Sequence, residues 1–95
     1  MPAVTKLGSG CSGHGCWPPR PNTQGSPNVF VNGIGAHRQS DAWATHCCGD
    51  ACHHGVLAAG SSKVYCNSLQ LCRIGDPLSC GSVAASGSQN VFAGG

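Results

Sequence analysis

The stretch Gly25-Ser26-Pro27-Asn28-Val29-Phe30-Val31-Asn32 decides the fold, because the chain repeats it twice more. The second copy reads Gly60-Ser61-Ser62-Lys63-Val64-Tyr65-Cys66-Asn67, and the third reads Gly87-Ser88-Gln89-Asn90-Val91-Phe92-Ala93-Gly94. In each copy a Gly-Ser pair is followed by valine and an aromatic residue, which favour short β-strands. An internal repeat of this kind indicates that one supersecondary unit is used three times.

The residues that follow the first two copies predict a hairpin in each. Asn32-Gly33 comes directly after the first strand, and this dipeptide is the strongest short hairpin signal because both turn positions need positive φ. We therefore expect residues 34–38 to form the returning strand. The second unit has the weaker turn Asn67-Ser68, followed by a returning strand over residues 69–74.

The spacing of charged residues extends the match between the first two units. Arg38 and Asp41 recur as Arg73 and Asp76 at the same offset from the start of each unit, so the two aspartates are predicted to be structural. We place the three units at about residues 25–43, 60–78 and 87–95 of one domain that covers residues 1–95. If the units pack around a common axis, the monomer gains an approximate threefold shape that would fit end-on against a trimer.

Composition agrees with a small all-β domain. The 95 residues include 15 Gly and 6 Pro, and only 8% are charged, against about 25% in ordinary soluble domains. A core this small usually needs a disulfide, a metal or a partner, and the scarcity of charge indicates that a partner covers part of the surface. The formal net charge of +2 argues against a nucleic-acid partner, so we expect Trp17, Trp43 and Tyr65 to pack in the core or under loops.

Cysteine and histidine supply the candidate metal ligands. No signal peptide is recognisable at the N-terminus, so we expect the chain to be made in the cytosol with reduced thiols, which favours metal binding over disulfides. Zinc prefers four nitrogen or sulfur ligands in a closed tetrahedron when its role is structural. The candidates lie in glycine-rich or small-residue segments, and chemistry alone leaves their choice open: His14, His46, Cys47, Cys48, Cys52, His53, His54 and Cys80.

Not every histidine and cysteine of the chain needs to be a metal ligand, and several have simpler interpretations. The local group from His46 to His54 could form a site unaided, whereas His37 and His54 are the histidines that we expect to be solvated or hydrogen-bonded. Cys11 and Cys16 could pair across their loop. Cys66 and Cys72 are predicted to be small buried hydrophobic residues.

The motifs together resemble PAAR-repeat proteins over nearly the whole chain. The resemblance rests on Gly13-His14-Gly15, Pro18-Pro19-Arg20-Pro21, the three repeats, Cys52-His53-His54-Gly55-Val56, Arg73-Ile74-Gly75-Asp76-Pro77 and Ser79-Cys80-Gly81. The Pro-Ala-Ala-Arg signature itself is degraded to Gly35-Ala36-His37-Arg38 and Gln70-Leu71-Cys72-Arg73.

This resemblance implies a fold, a metal and a partner. The family forms a short three-sided cone of β-structure with zinc near its vertex, and its broad base docks on a trimeric VgrG-like β-helical spike in type VI secretion systems or contractile phage tails. Carried over residue by residue, the family's three histidines and one cysteine correspond to His14, His46, His53 and Cys80. His53 is preferred to His54 because the family pattern reads His-x-Gly and Gly55 fixes the register.

The predicted function is therefore mechanical. The chain is expected to be a membrane-piercing tip, cytoplasmic before assembly and later delivered to the target cell envelope or the extracellular space. A zinc hydrolase would need an open metal position and a general base, but the chain has no Glu, and Asp50 is the one aspartate outside the repeat, so we predict no enzyme activity. The alternatives are a disulfide-rich or zinc-binding interaction module without a piercing role, and iron in place of zinc.

Overall fold

The computed structural model describes residues 1–94, which form an all-β fold without a helix, as the sequence predicts. The regular strands are β1 (Phe30–Val31), β2 (Ile34–Gly35), β3 (His46–Cys48), β4 (Ala51–His53), β5 (Tyr65–Cys66) and β6 (Leu69–Gln70). They form three two-stranded antiparallel hairpins, β1–β2, β3–β4 and β5–β6, and isolated β-bridges join other segments of the chain. Nothing helical in this part of the chain is long and apolar enough to span a membrane.

Hairpins β1–β2 and β5–β6 confirm the two predicted turns. Asn32 and Gly33 have φ values of 54° and 77°, while Asn67 and Ser68 have 55° and 64°, so both turns have the positive φ at two positions that tight hairpins require. The strands are shorter than predicted because residues beyond Gly35 and Gln70 leave their own hairpin and pair with other units.

The third unit pairs with the N-terminal segment of the chain, a pairing that the sequence does not predict. Phe92 forms an antiparallel bridge with Ala3, which corresponds to the pairing of Phe30 with Gly35 in β1–β2. Residues 3–9 therefore take the place that the returning strand has in the other two units. Residue 95, the last position of the predicted third unit, lies outside the described residues.

A ring of backbone hydrogen bonds shows that the three units surround one axis. The N–H of Thr5 donates to the carbonyl of Cys72 (2.9 Å), that of Cys72 to His37 (3.0 Å), and that of His37 to Thr5 (3.1 Å). All three residues are fully buried. Each unit thus hydrogen-bonds to both others, which gives the approximate threefold arrangement that the repeats suggest.

One buried serine per unit forms a second set of hydrogen bonds between neighbouring units. Each serine Oγ accepts the N–H of the residue three positions on and donates to an acceptor in the neighbouring unit. The three inter-unit bonds run from Ser26 to Asn67 Oδ1, from Ser61 to the carbonyl of Gly94, and from Ser88 to Asn32 Oδ1. The serine of each Gly-Ser pair therefore links its unit to a neighbouring unit.

The predicted structural aspartates make two nearly buried ion pairs. Asp41 accepts the backbone N–H of Arg38 at 2.9 Å and its guanidinium Nε at 2.8 Å, and Asp76 binds Arg73 in the same way. These pairs tie the strand ends of the first two units.

The apolar core lies in two clusters along a body of 37 × 24 × 23 Å. The cluster under the hairpins comprises Val4, Val31, Ala36, Cys66, Leu71 and Ala93. The cluster on the other side of the ring comprises Cys11, Trp43, Leu57, Cys72, Leu78 and Ala84, and Cys80 packs against it. The burial of Cys66 and Cys72 confirms the prediction for both, whereas the conical shape remains a prediction.

Candidate metal centre

Hairpin β3–β4 presents two histidines on one face. His46 pairs with His53 across the hairpin, and Cys47 pairs with Cys52 at the next position. Because successive side chains on a strand point to opposite faces, the histidine pair and the cysteine pair lie on opposite faces of the hairpin. The hairpin therefore fixes two candidate ligands side by side.

His14 reaches the same place from the N-terminal loop. It forms a tight antiparallel bridge with Trp17, in which the N–H of each residue donates to the carbonyl of the other at 3.0 and 2.8 Å. The loop is held to the hairpin by Trp17, whose indole Nε1 donates to the carbonyl of Ala51 at 3.0 Å.

Cys80 completes the group because Gly55 allows a close approach. A Cβ at position 55 would lie 3.0 Å from the Cys80 sulfur and 3.1 Å from its Cβ, closer than such atoms normally come. Glycine is thus required here by the packing of Cys80, which gives a physical reason for the His-x-Gly pattern after His53.

The structure brings together the four residues that the sequence analysis selected, His14, His46, His53 and Cys80, with their potential ligand atoms within 4.8 Å of one another. The Nε2 atom of His53 lies 3.0 Å from that of His14 and 2.7 Å from that of His46. In tetrahedral zinc sites, bonds of about 2.0 to 2.3 Å put the ligand atoms roughly 3.3 to 3.8 Å apart. The separations in this group, from 2.7 Å up to 4.8 Å, bracket that range, so the group has the donor types of a closed metal site and would reach its size through small shifts of the side chains.

The hydrogen bond of His46 and the lowered pKa of His53 both leave imidazole lone pairs available for a metal cation. The His46 Nδ1 faces the carbonyl of Pro18 at 2.9 Å, which places its proton there and leaves the Nε2 lone pair directed at the group. Desolvation, with the neighbouring His46 and His14, lowers the pKa of His53. With its proton on Nδ1, His46 offers a lone pair at Nε2, and a bound metal ion would accept this lone pair together with those of the neighbouring imidazoles.

Trp17 covers this group, a role that the sequence analysis missed. Its ring stacks on His14 at 5.0 Å and 22°, and on His53 at 4.8 Å and 25°. An apolar cover limits solvent access to a metal site. Among the other aromatic residues, Trp43 is buried as predicted, but the prediction for Tyr65 is wrong because its side chain is exposed.

The disulfides differ from the expectation. Cys16 pairs with Cys48 rather than with Cys11, and Cys47 pairs with Cys52 across β3–β4. The expectation of reduced thiols is therefore wrong for half of the eight cysteines. Cys11 instead packs in the core, where it forms an isolated β-bridge with Ala84.

The disulfides also exclude the cysteines between His46 and His54 as free metal ligands. All three are bonded, and within the described residues only His46 and His53 of this local set join the metal-binding group. His54 is exposed, and His37 is buried with its Nδ1 at 2.8 Å from the carbonyl of Gln24, as predicted for both. Asp50 lies in the exposed turn of β3–β4.

Comparison with known families agrees with this geometry. The model of the PAAR motif matches residues 12–86 of the 95-residue chain. The chain belongs to the PAAR family. Its four convergent residues come from the N-terminal loop, both strands of β3–β4 and the link before the third repeat. No curated protein matches the chain.

Family membership bears on the broad type of function. PAAR proteins are structural proteins that associate with spike proteins. A possible metal site in this chain is consistent with that type, because a group of four protein side chains leaves little room for a substrate at the ion.

Proposed function

We propose that this PAAR chain is the membrane-piercing tip that caps the trimeric VgrG-like or phage-tail spike of a contractile injection machine. One chain would sit on each trimer. Its hairpin end, which carries β1–β2 and β5–β6, would face the spike, and its metal end, which carries β3–β4, would point forward. It would be assembled in the cytoplasm and driven into the envelope of a target cell.

The observation that carries this proposal is a set of three exposed aromatic residues at matching positions of the three units. Phe30, Tyr65 and Phe92 are 59%, 57% and 51% exposed. They occupy the hairpin end, beyond the ring of Thr5, His37 and Cys72.

Exposed aromatic side chains are typical of protein interfaces. Three of them around an approximate threefold axis would match three equal surfaces of a trimer. This arrangement explains how a monomer could dock on a trimer with little mismatch.

At the other end, we propose zinc bound by His14, His46, His53 and Cys80. Zinc would supply a closed tetrahedral link between the N-terminal loop, β3–β4 and the segment that carries Cys80. The two disulfides reinforce the same region, Cys16–Cys48 by tying the loop to β3 and Cys47–Cys52 by tying β3 to β4. Short loops held in this way would resist spreading under an axial load.

A pull-down with a trimeric β-helical spike tests the docking. The triple variant Phe30→Ser, Tyr65→Ser and Phe92→Ser should bind at least about 100-fold more weakly, since each buried aromatic at an interface contributes roughly 1 kcal/mol or more. Val83→Ser is the matched control, because Val83 is 37% exposed and its carbonyl accepts the N–H of Ser12 in the metal half. Equal binding by the triple variant and this control would contradict docking through the hairpin end.

A further inference from the structure

The third unit differs from the other two at one pair of equivalent positions. Lys6 and Ser9 stand where the first unit has Arg38 and Asp41. The backbone geometry is the same, because the N–H of Lys6 donates to Ser9 Oγ at 3.3 Å as that of Arg38 donates to Asp41 at 2.9 Å. The third unit therefore keeps the backbone conformation that Arg38 and Asp41 have in the first unit, but it has no carboxylate at the position of Asp41.

In the first two units the arginine side chain also contacts the next unit. Besides its aspartate, Arg38 donates from Nη1 to Asn67 Oδ1 at 3.0 Å, in the turn of the next unit. Arg73 donates in the same way to the carbonyl of Gly94 at 3.0 Å. In these units the guanidinium bridges the aspartate of its own unit and an acceptor in the next unit.

In the third unit this space is open. A cavity of ≈ 250 Å³, here named the Lys6 pocket, is lined by Lys6, Asn32, Gly87, Gln89 and Asn90. Asn32 is the turn residue equivalent to Asn67. It is already engaged, since its Nδ2 donates to Asn90 Oδ1 at 2.8 Å. Lysine lacks the guanidinium that reaches Asn67 from the first unit, and its shorter side chain leaves room for an external group.

The charge in the pocket is uncompensated. Within residues 1–94 the ion pairs are Arg38–Asp41 and Arg73–Asp76, so both aspartates of the repeat are engaged elsewhere. Lys6 is half-buried, which weakens the screening of its ammonium by water.

We propose that the Lys6 pocket binds a carboxylate group, which would supply to Lys6 the countercharge that Asp41 and Asp76 supply to the arginines of the other units. The Lys6 ammonium would supply the charge, and the exposed amide of Gln89 can donate a second hydrogen bond. The pocket adjoins the turn of β1–β2, at the end that carries Phe30. It is therefore accessible to an acidic side chain of a protein bound at that end, and also to a small organic acid.

Nuclear magnetic resonance of the full chain tests this proposal directly. Signals of the Lys6 side chain and of the Gln89 amide are followed during titration with sodium acetate, with sodium chloride at equal ionic strength as the reference. We expect saturable shifts with a dissociation constant on the order of 100 mM, because a single lysine–carboxylate contact contributes only about 1 kcal/mol. Shifts at Lys6 that stay linear and equal those at the exposed Lys63 would overturn the proposal.

Matched variants locate the site. Ser9→Asp supplies the internal carboxylate of the other units and should weaken acetate binding at least about tenfold, whereas Lys63→Met should leave it unchanged. If Ser9→Asp disturbs the fold, Gln89→Trp covers the mouth of the pocket from an exposed position and should have the same effect. Unchanged binding in a folded blocking variant would contradict the assignment.

The source of the carboxylate is distinguished by a second ligand. A capped tripeptide with a central aspartate presents an acidic side chain, whereas acetate represents a free acid. Tighter binding of the peptide assigns the pocket to a protein partner, and tighter binding of acetate assigns it to a small organic acid. The absence of saturable binding for both ligands would refute the proposal while leaving the docking of the hairpin end untouched.

Discussion

Gly55→Ala tests the metal centre without altering any proposed ligand. The new Cβ would lie 3.0 Å from the Cys80 sulfur and 3.1 Å from its Cβ, whereas ordinary contacts begin at 3.4 Å. Cys80 must therefore retreat by about 0.4 Å, and metal–ligand distances tolerate only about 0.2 Å. We expect zinc to bind about 10- to 100-fold more weakly, as is usual when the surroundings of a ligand are disturbed.

Competition with a chromophoric chelator measures this change in zinc affinity. Gly10→Ala is the matched control, because its Cβ would meet only Ser86 Oγ, at an ordinary 3.9 Å, and neither glycine has a positive φ. Equally tight zinc binding by Gly55→Ala and Gly10→Ala would contradict this expectation, since the close approach of Cys80 to residue 55 would then not matter for the ion.

Two further predictions concern stability. Asp76→Asn breaks the nearly buried pair with Arg73 and should lower the free energy of unfolding in urea by about 3 kcal/mol, while Asp50→Asn in the exposed turn should change it little; equal effects would contradict the structural role of Asp76. Burial lowers the pKa of His37, despite its bond to the Gln24 carbonyl. In metal-free protein its contribution to stability should therefore be full above about pH 6.5 and be lost as the pH falls, and His37→Leu should flatten that slope.

The hairpins β1–β2 and β5–β6 could be predicted because their turn residues carry a local conformational signal. Asn32 and Gly33 adopt positive φ at little cost, so the position of the turn follows from the two residues themselves. Hairpin β3–β4 also has a turn signal, Gly49-Asp50, and Gly49 has a φ of 60°. Its strands could not be predicted, because they consist mostly of cysteine and histidine and contain no β-favouring residues.

The closure of the third unit could not be predicted for a related reason. Ala3 pairs with Phe92 across almost the whole length of the chain, and the segment around it shares no distinctive motif with Ile34 and Gly35. The match becomes visible only through burial, with Val4 and Thr5 in the core. Sequence patterns report local preferences, whereas this contact depends on the packing of three units around one axis.

The candidate metal group owes its prediction to family resemblance rather than to spacing. His14 and Cys80 lie far from β3–β4 in sequence, so chemistry alone left a choice among eight residues. Disulfide connectivity was equally open, because several pairings of the same cysteines satisfy any sequence rule. The pairing of Cys16 with Cys48 depends on the loop that Trp17 holds against the hairpin.

Metal content per chain is the most direct test of the central claim that His14, His46, His53 and Cys80 bind one zinc ion. It should be measured on protein purified without added metal, alongside His53→Ala and the matched variant of the exposed neighbour, His54→Ala. The account predicts one zinc per chain in the native protein and in His54→Ala, and its loss in His53→Ala. No stoichiometric metal in the native protein, or loss of the ion with His54→Ala instead, would contradict it.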